Sequence, residues 1–390
     1  MSLIYIVAGE ASGDALGARL LAALRARRPE LAFAGIGGER LAEQGMASLF
    51  PMGELALMGL IEVLPNLRSL SRRMAETVAD ITARRPAAIV TIDSPGFALR
   101  LAERVRPLGI PIVHYVAPQI WAWRPGRVAK IRARVDRILC LLPFETVIFD
   151  AAGIPATFVG HPVLESGADA GDAARFRAAH GIAPDAPVLL VMPGSRRMEA
   201  KRLLPVFGAA LRVLAARLPG LRPVVAVSPV VAAAVRAGVA DWPGRPVLVE
   251  TLATKHDAFA AADAGLIKSG TSSLEMAVAG VPHVVAYRVN PITAAIVHHL
   301  VRVRFASLVN LLAEREVAPE LLQHHATPQA LSDALHRLLT DPEAAAAQRA
   351  AFAPVLAQLH PLGLAPSEAA AEAVMAEMAP REGPREGHTA

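Results

Sequence analysis

Short apolar runs and stretches of helical periodicity take turns along most of this chain. Leu3 to Val7 is a continuous apolar run, followed by Ala8-Gly9-Glu10-Ala11-Ser12-Gly13-Asp14 and then a helical pattern over Ala15 to Arg27. Ala32 to Ile36 repeats the run and closes on Gly37-Gly38. Ala87 to Ile92, Ile110 to Val116 and Ile138 to Leu142 read as further buried strands. The rhythm restarts at Val188 to Met192, ahead of a helix over Leu203 to Leu218. It continues with strands at Arg222 to Val227, Val247 to Val249, Ala264 to Ile267 and Val281 to Ala286, and a short helix over Asp257 to Ala264. Strand, glycine-bearing turn and helix in repetition predict an α/β fold with parallel sheets, built twice.

At 390 residues the chain exceeds one usual core, so two or three domains are expected. Residues 165–186, rich in Ala, Gly and Asp, read as the connection between the halves. Apolar residues make up 53% of the chain, which excludes a disordered protein. No window of about 18 uninterrupted apolar residues predicts a transmembrane helix. The N-terminus enters directly as a strand without a basic n-region, and Cys140 is the single cysteine; a cytoplasmic protein is expected. A net charge of +5 favours anionic partners, and on charge alone nucleic acid, anionic lipid and phosphorylated metabolites all qualify.

Candidate chemistry gathers at the ends of the strands, where open α/β sheets place ligands. Glu10, Ser12 and Asp14 follow the first strand, although the loop lacks the G-x-G-x-x-G and P-loop spacings; a capped turn would look the same. Asp93 ends the Ala87 to Ile92 strand and Pro95 stops it, which puts a carboxylate where a general base would sit, or a turn aspartate. Pro193-Gly194-Ser195-Arg196 is another strand-to-helix turn, with an arginine able to pair with a diphosphate. Lys268-Ser269-Gly270-Thr271-Ser272-Ser273-Leu274-Glu275 opens a helix with hydroxyl groups, and Glu275 sits one turn in, where it can accept from a ribose diol. The same stretch serves equally as an ordinary capped helix. His298 and His299 have no acidic residue at helical spacing, so no zinc site is expected.

Two stretches depart from the rhythm. Residues 51–64 are apolar with few charges and lead into Arg68, Arg72 and Arg73; the stretch suits a membrane interface, an acyl-chain lip, or a helix covering the sheet. Trp121 and Trp123 share a loop with Gln119 and Arg124, suited to RNA stacking or to a phosphorylated, partly apolar ligand.

Taken in order, Val7 to Asp14, Met58 to Val63 with Glu62, Ile92 to Pro95, Val113 to Arg124, Leu142 to Glu145, Gly160 to Pro162, Pro193 to Arg196, Ser269 to Glu275 and Ser307 to Asn310 resemble the lipid-A-disaccharide synthase family. The resemblance covers about residues 3 to 340 and implies a GT-B fold, with two Rossmann-like domains facing across a cleft. It implies an inverting transfer of 2,3-diacylglucosamine from its UDP-linked donor to 2,3-diacylglucosamine 1-phosphate. The products are a β-1,6-linked lipid A disaccharide 1-phosphate and UDP. Asp93 matches the general base and Glu10 a residue needed for activity. Arg196, Gly194, Ser195, Gly270, Thr271, Ser272, Ser273, Glu275 and Asn310 match the UDP side. Ser12, Asp14, Met58, Glu62, Gln119 and Trp121 fall on the acceptor and lipid side. Gly96, Ala98, Arg197, Met198 and Lys268 depart from the usual family pattern, and Lys268 either adds a cation near the diphosphate or faces solvent.

The expected organisation is an acceptor-side domain over 1–168, with the apolar segment 51–75, and a UDP-binding domain over 169–350. Helices over 351–379 pack across domains or onto a partner, and 380–390 forms a loose tail. No metal or cofactor is expected, because helix N-termini, hydroxyls and Arg196 can meet the leaving-group charge. The enzyme is expected on the inner face of the inner membrane as a peripheral protein, with no nucleic-acid partner and a homodimer allowed. A UDP-sugar epimerase or non-lipid transferase would share the UDP seat without the apolar segment and the tryptophan loop. A non-enzymatic RNA-binding protein would not need Asp93.

Overall fold

The computed structural model describes residues 2–56, 63–119, 128–290 and 304–379. It divides into two compact units, Met1–Pro162 with Leu359–Ala390, and Val163–Gln358. In the first, β1 (Leu3–Ala8), β2 (Ala32–Ile36), β3 (Ala88–Ile92), β4 (Ile112–Tyr115), β5 (Arg137–Cys140) and β6 (Ala156–Phe158) form a parallel sheet in the order β2-β1-β3-β4-β5-β6. The side chains of β1 divide by the period-two rule. Tyr5 and Val7 join Phe97, Leu101 and Phe149 on one face, while Ile4, Ile6 and Ala8 join Leu20, Leu21 and Leu24 on the other. Both faces are dry, which is why the strands read as unbroken apolar runs.

The first helix, Ala11–Arg27, begins earlier than the periodicity predicts, because the Asp14 N–H already donates to the Glu10 carbonyl. Helix Pro366–Met378 belongs to this same unit. It packs on Ala11–Arg27 and adds Ala370, Ala371 and Val374 to the core. Arg27 pairs with Glu372 and Arg137 with the buried Glu377 at 2.6 Å, fastening the chain's return. Where the chain leaves and re-enters the unit, Gly160 has φ +80° and an added Cβ would lie 2.4 Å from Pro361 Cδ, so only glycine fits.

In the second unit β7 (Val188–Met192), β8 (Arg222–Ala226), β9 (Val247–Val249), β10 (Ala264–Lys268), β11 (His283–Tyr287) and β12 (Glu320–Leu322) run parallel in the order β12-β11-β10-β7-β8-β9. Leu189 and Val191 face Leu203, Phe207 and Trp242, and Val188 and Leu190 face Phe176, Phe259 and Met276. The helix expected over Asp257 to Ala264 instead spans Leu252–Ala261. Thr251 starts it by accepting from the Thr254 N–H at 3.2 Å. Cys140 is buried at the end of β5, and desolvation raises its thiol well above the usual range. Among the described residues no helix is long and apolar enough to cross a membrane.

Each sheet has one switch point, where the chain reverses its direction of growth. In the first sheet it lies between β1 and β3, and in the second between β7 and β10. Ligands of such sheets lie beyond the carboxyl ends of those strands.

Candidate functional site

In the first unit Ala8 pairs with Ile92, so the turns after β1 and β3 lie side by side. Glu10 is exposed at the start of helix Ala11–Arg27, and Ser12 is exposed in its first turn. Asp93 and Ser94 are both left-handed, at φ 49° and 44°, and Pro95 starts the next helix. At the end of neighbouring β4, Val116 also has a positive φ, 78°. Left-handed backbone at non-glycine residues costs on the order of 1–3 kcal/mol each, and such strain collects at functional sites. The strained turn stays close to the β1 turn because Gly9 has no side chain; a Cβ there would lie 2.7 Å from Ser94 Oγ. Asp93 Oδ1 accepts from the Ser94 N–H at 2.8 Å, and Oδ2 has no hydrogen-bond partner among the described residues. The half-buried carboxylate is thus oriented by its neighbour with one oxygen available.

Asp14 goes elsewhere. It is 4% exposed and accepts from the N–H groups of Gly38 at 2.7 Å, Arg40 at 2.9 Å and Leu41 at 3.2 Å. Both its oxygens brace the start of helix Glu39–Glu43, a structural duty. Gln119 is exposed, whereas Met58, Glu62 and Trp121 lie outside the described residues. Of the arginines expected to point at headgroups, Arg68 and Arg72 are exposed but Arg73 is not available. Arg73 grips Glu54 with Nε at 2.7 Å and with Nη2, bonds Glu76 at 2.7 Å, and stacks over Phe50.

In the second unit Ile267 pairs with Met192, and Lys268 with Ala286, so the ends of β7, β10 and β11 adjoin. The turn after β7 carries Gly194 at φ +106°, where a Cβ would lie 2.6 Å from Glu199 Oε2. Glu199 sits in the first turn of helix Arg197–Arg217. Its Oε2 accepts from the Arg196 N–H at 3.3 Å, and its Oε1 lies 3.5 Å from Arg196 Nη1 and 3.3 Å from Lys268 Nζ. Ser195 and Arg196 are exposed around it. Tyr287, ending β11, is raised above the usual phenol range by burial and by the Glu199 carboxylate.

The turn after β10 holds Gly270 at φ +139°, then Thr271, exposed, and Ser272, half-buried. Ser273 is fully buried and its hydroxyl donates to the Gly270 carbonyl at 2.9 Å, so it shapes the turn from inside. Glu275 is half-buried and accepts from Lys255 Nζ at 2.8 Å, while Lys255 stacks over Phe259. Asn310 is fully buried. Its Oδ1 accepts from Val317 N–H at 2.8 Å and Ala318 N–H at 2.9 Å, and its Nδ2 donates to Ala318 O at 2.7 Å and Glu320 Oε1 at 2.9 Å. It is a brace for the segment leading into β12. Burial raises the Glu320 carboxyl above its usual range, opposed by the N–H groups of Ala306 and Ser307 and by Asn310. Lys255, Glu199, Tyr287 and Glu320 were not singled out by the sequence. A lysine 20 positions before Glu275 carries no periodic signal, although Glu199 three residues after Arg196 was legible as a helix-start acid.

The chain as a whole matches known proteins in sequence and in fold. The family described as lipid-A-disaccharide synthetase matches residues 4–374. A lipid-A-disaccharide synthase of Gluconobacter oxydans is 53% identical over 96% of this chain and 90% of its own. One from Granulibacter bethesdensis is 54% identical over 96% and 98%. Among solved structures, the S. aureus MnaA–UDP co-structure superposes with TM-score 0.65 at 13% identity, over 96% of this chain and 95% of that one. The calicheamicin glycosyltransferase CalG4 gives 0.60 at 17% identity, over 97% and 98%. These likenesses fix the GT-B fold, and the sequence matches fix the family. This chain belongs to the lipid-A-disaccharide synthase family, the glycosyltransferases of lipid A biosynthesis.

Proposed function

We propose that the second unit binds the UDP of UDP-2,3-diacylglucosamine and that Asp93 of the first activates the 6-hydroxyl of 2,3-diacylglucosamine 1-phosphate. Asp93 Oδ2 takes the hydroxyl proton and the oxygen attacks the anomeric carbon. The bond to the diphosphate breaks, its electron pair leaves on the β-phosphate, and the new linkage is β. The guanidinium of Arg196 and the hydroxyls of Ser195, Thr271 and Ser272 meet the leaving-group charge, so catalysis asks for no metal. Glu275, held by Lys255, accepts from the ribose diol. Asn310 contributes by holding the β12 segment, and Glu10 by bordering the Asp93 turn.

The observation that carries this reading is Asp93: a carboxylate with one available oxygen, in a doubly left-handed turn at the switch point of its sheet. The UDP named in the MnaA structure, bound to a protein of the same fold, supports the nucleotide half. Acyl chains of both substrates engage the apolar 51–75 segment, and the enzyme works as a peripheral protein on the inner face of the inner membrane. Exposed Arg68 and Arg72 supply the cations for that surface.

The test separates base from seat. Asp93→Asn should lower transfer by roughly a thousandfold while UDP affinity stays within about twofold, because general-base catalysis is worth about 10²–10⁴. Transfer near the wild-type rate in this variant would move the base elsewhere.

A further inference from the structure

Lys268 closes β10, and its ammonium turns back over the glycine turn instead of out into water. Its side chain is 18% exposed, and a Cβ on Gly270 would lie 3.1 Å from Nζ. Gly270, whose φ of +139° asks for glycine, thus lies directly beneath the cation. Nζ lies 3.3 Å from Glu199 Oε1, and among the described residues Glu199 is its only ion-pair partner.

Glu199 is a shared counter-ion. Its side chain is 9% exposed, it holds the Arg196 N–H at 3.3 Å, and it lies 3.5 Å from the Arg196 guanidinium. Two cations, the Arg196 guanidinium and the Lys268 ammonium, therefore face one carboxylate at the adjoining ends of β7 and β10. An ammonium has three donors, and one carboxylate oxygen does not exhaust them. A buried carboxylate needs a cation, but Arg196 already stands beside this one.

We infer that Lys268 is a ligand-contacting cation of the donor site, reaching the β-phosphate of a bound nucleoside diphosphate. This rests on the donor-site reading above and adds to it the residue that meets the leaving phosphate. Charge grows on that phosphate as the glycosidic bond breaks, so Lys268 gains strength along the reaction and acts on kcat as well as on binding.

The test uses the full-length enzyme, with UDP affinity from calorimetry and uridine affinity from competition against transfer. Variants are Lys268→Met and the double Lys268→Met/Glu199→Gln, in which the amide keeps an acceptor for the Arg196 N–H. Lys268→Met should weaken UDP about tenfold or more, the usual worth of a charge-assisted bond. Uridine, lacking phosphate, should stay within about twofold, and the double variant should remain weak for UDP. UDP affinity unchanged in Lys268→Met would overturn the inference, as would a parallel loss for uridine. Recovery of UDP affinity in the double variant would also overturn it, because Lys268 would then serve only to neutralise Glu199. Those outcomes leave the donor-site reading standing. Wild-type enzyme that binds no UDP at millimolar concentration would remove that reading and the inference together.

Discussion

Asn310→Ala separates a residue that braces a fold from one that touches a ligand. The side chain is fully buried and makes four hydrogen bonds of 2.7 to 2.9 Å, two donated and two accepted. Each is worth about 1 kcal/mol net, and the partners left behind include a backbone carbonyl, two N–H groups and the Glu320 carboxylate. The expected loss is about 3–5 kcal/mol. In a domain of this size each kcal/mol moves Tm by roughly 2–4 °C, so the second unit should melt on the order of 10 °C earlier. Asn310→Asp should do no better, because it removes the amide donor and sets a second carboxylate beside Glu320. Scanning calorimetry with and without UDP reads the melting shift, and titration of the folded variant at low temperature reads affinity. UDP affinity lost with Tm within about 2 °C of wild type would refute the reasoning and make Asn310 a direct contact.

Other consequences follow from the same geometry. Gly194→Ala must place a Cβ at φ +106° and against Glu199, so it should cost about 2 kcal/mol or more and weaken UDP binding; a neutral Tm and unchanged affinity would contradict that. Lys255→Met keeps a contact with Phe259 but frees Glu275, and should raise the donor KM about five- to tenfold with kcat nearly unchanged; the reverse split would place Lys255 in the chemical step. Burial lowers both His114 and His283 from 6.5 to about 4, so at these two sites the folded state holds fewer protons than the unfolded one between those values. Their contribution is complete above about pH 6.5 and is lost as pH falls towards 4, at up to about 1.4 kcal/mol per pH unit for each histidine. Urea unfolding at pH 7 and pH 5 should show it, and His114→Gln, which can still bond Thr91, should flatten the slope; equal stability at both pH values would contradict the buried neutral state.

The repeated strand and helix pattern was legible because parallel strands are dry on both faces and leave unbroken apolar runs. The turns at Glu10, Asp93, Gly194 and Gly270 were legible for a related reason: a strand's end fixes where its next residues go. What those side chains do was less visible. Asp14 and Ser273 sit at the right turns, yet their oxygens are taken by backbone groups, Gly38 N–H among them for Asp14 and the Gly270 carbonyl for Ser273. Arg73 reads as a surface cation in the sequence, but Glu54 and Glu76 hold its guanidinium. Pairs such as Lys255 with Glu275 or Lys268 with Glu199 join residues that are distant in the chain, and their closeness follows from sheet order, not from spacing.

One assay tests the proposed transfer most directly: wild-type enzyme with UDP-2,3-diacylglucosamine and 2,3-diacylglucosamine 1-phosphate, in EDTA, with both products quantified. One UDP should appear for each β-linked disaccharide 1-phosphate, at the same rate with and without the chelator. No disaccharide across several acyl-chain lengths, or turnover abolished by EDTA and restored by a divalent cation, would contradict it.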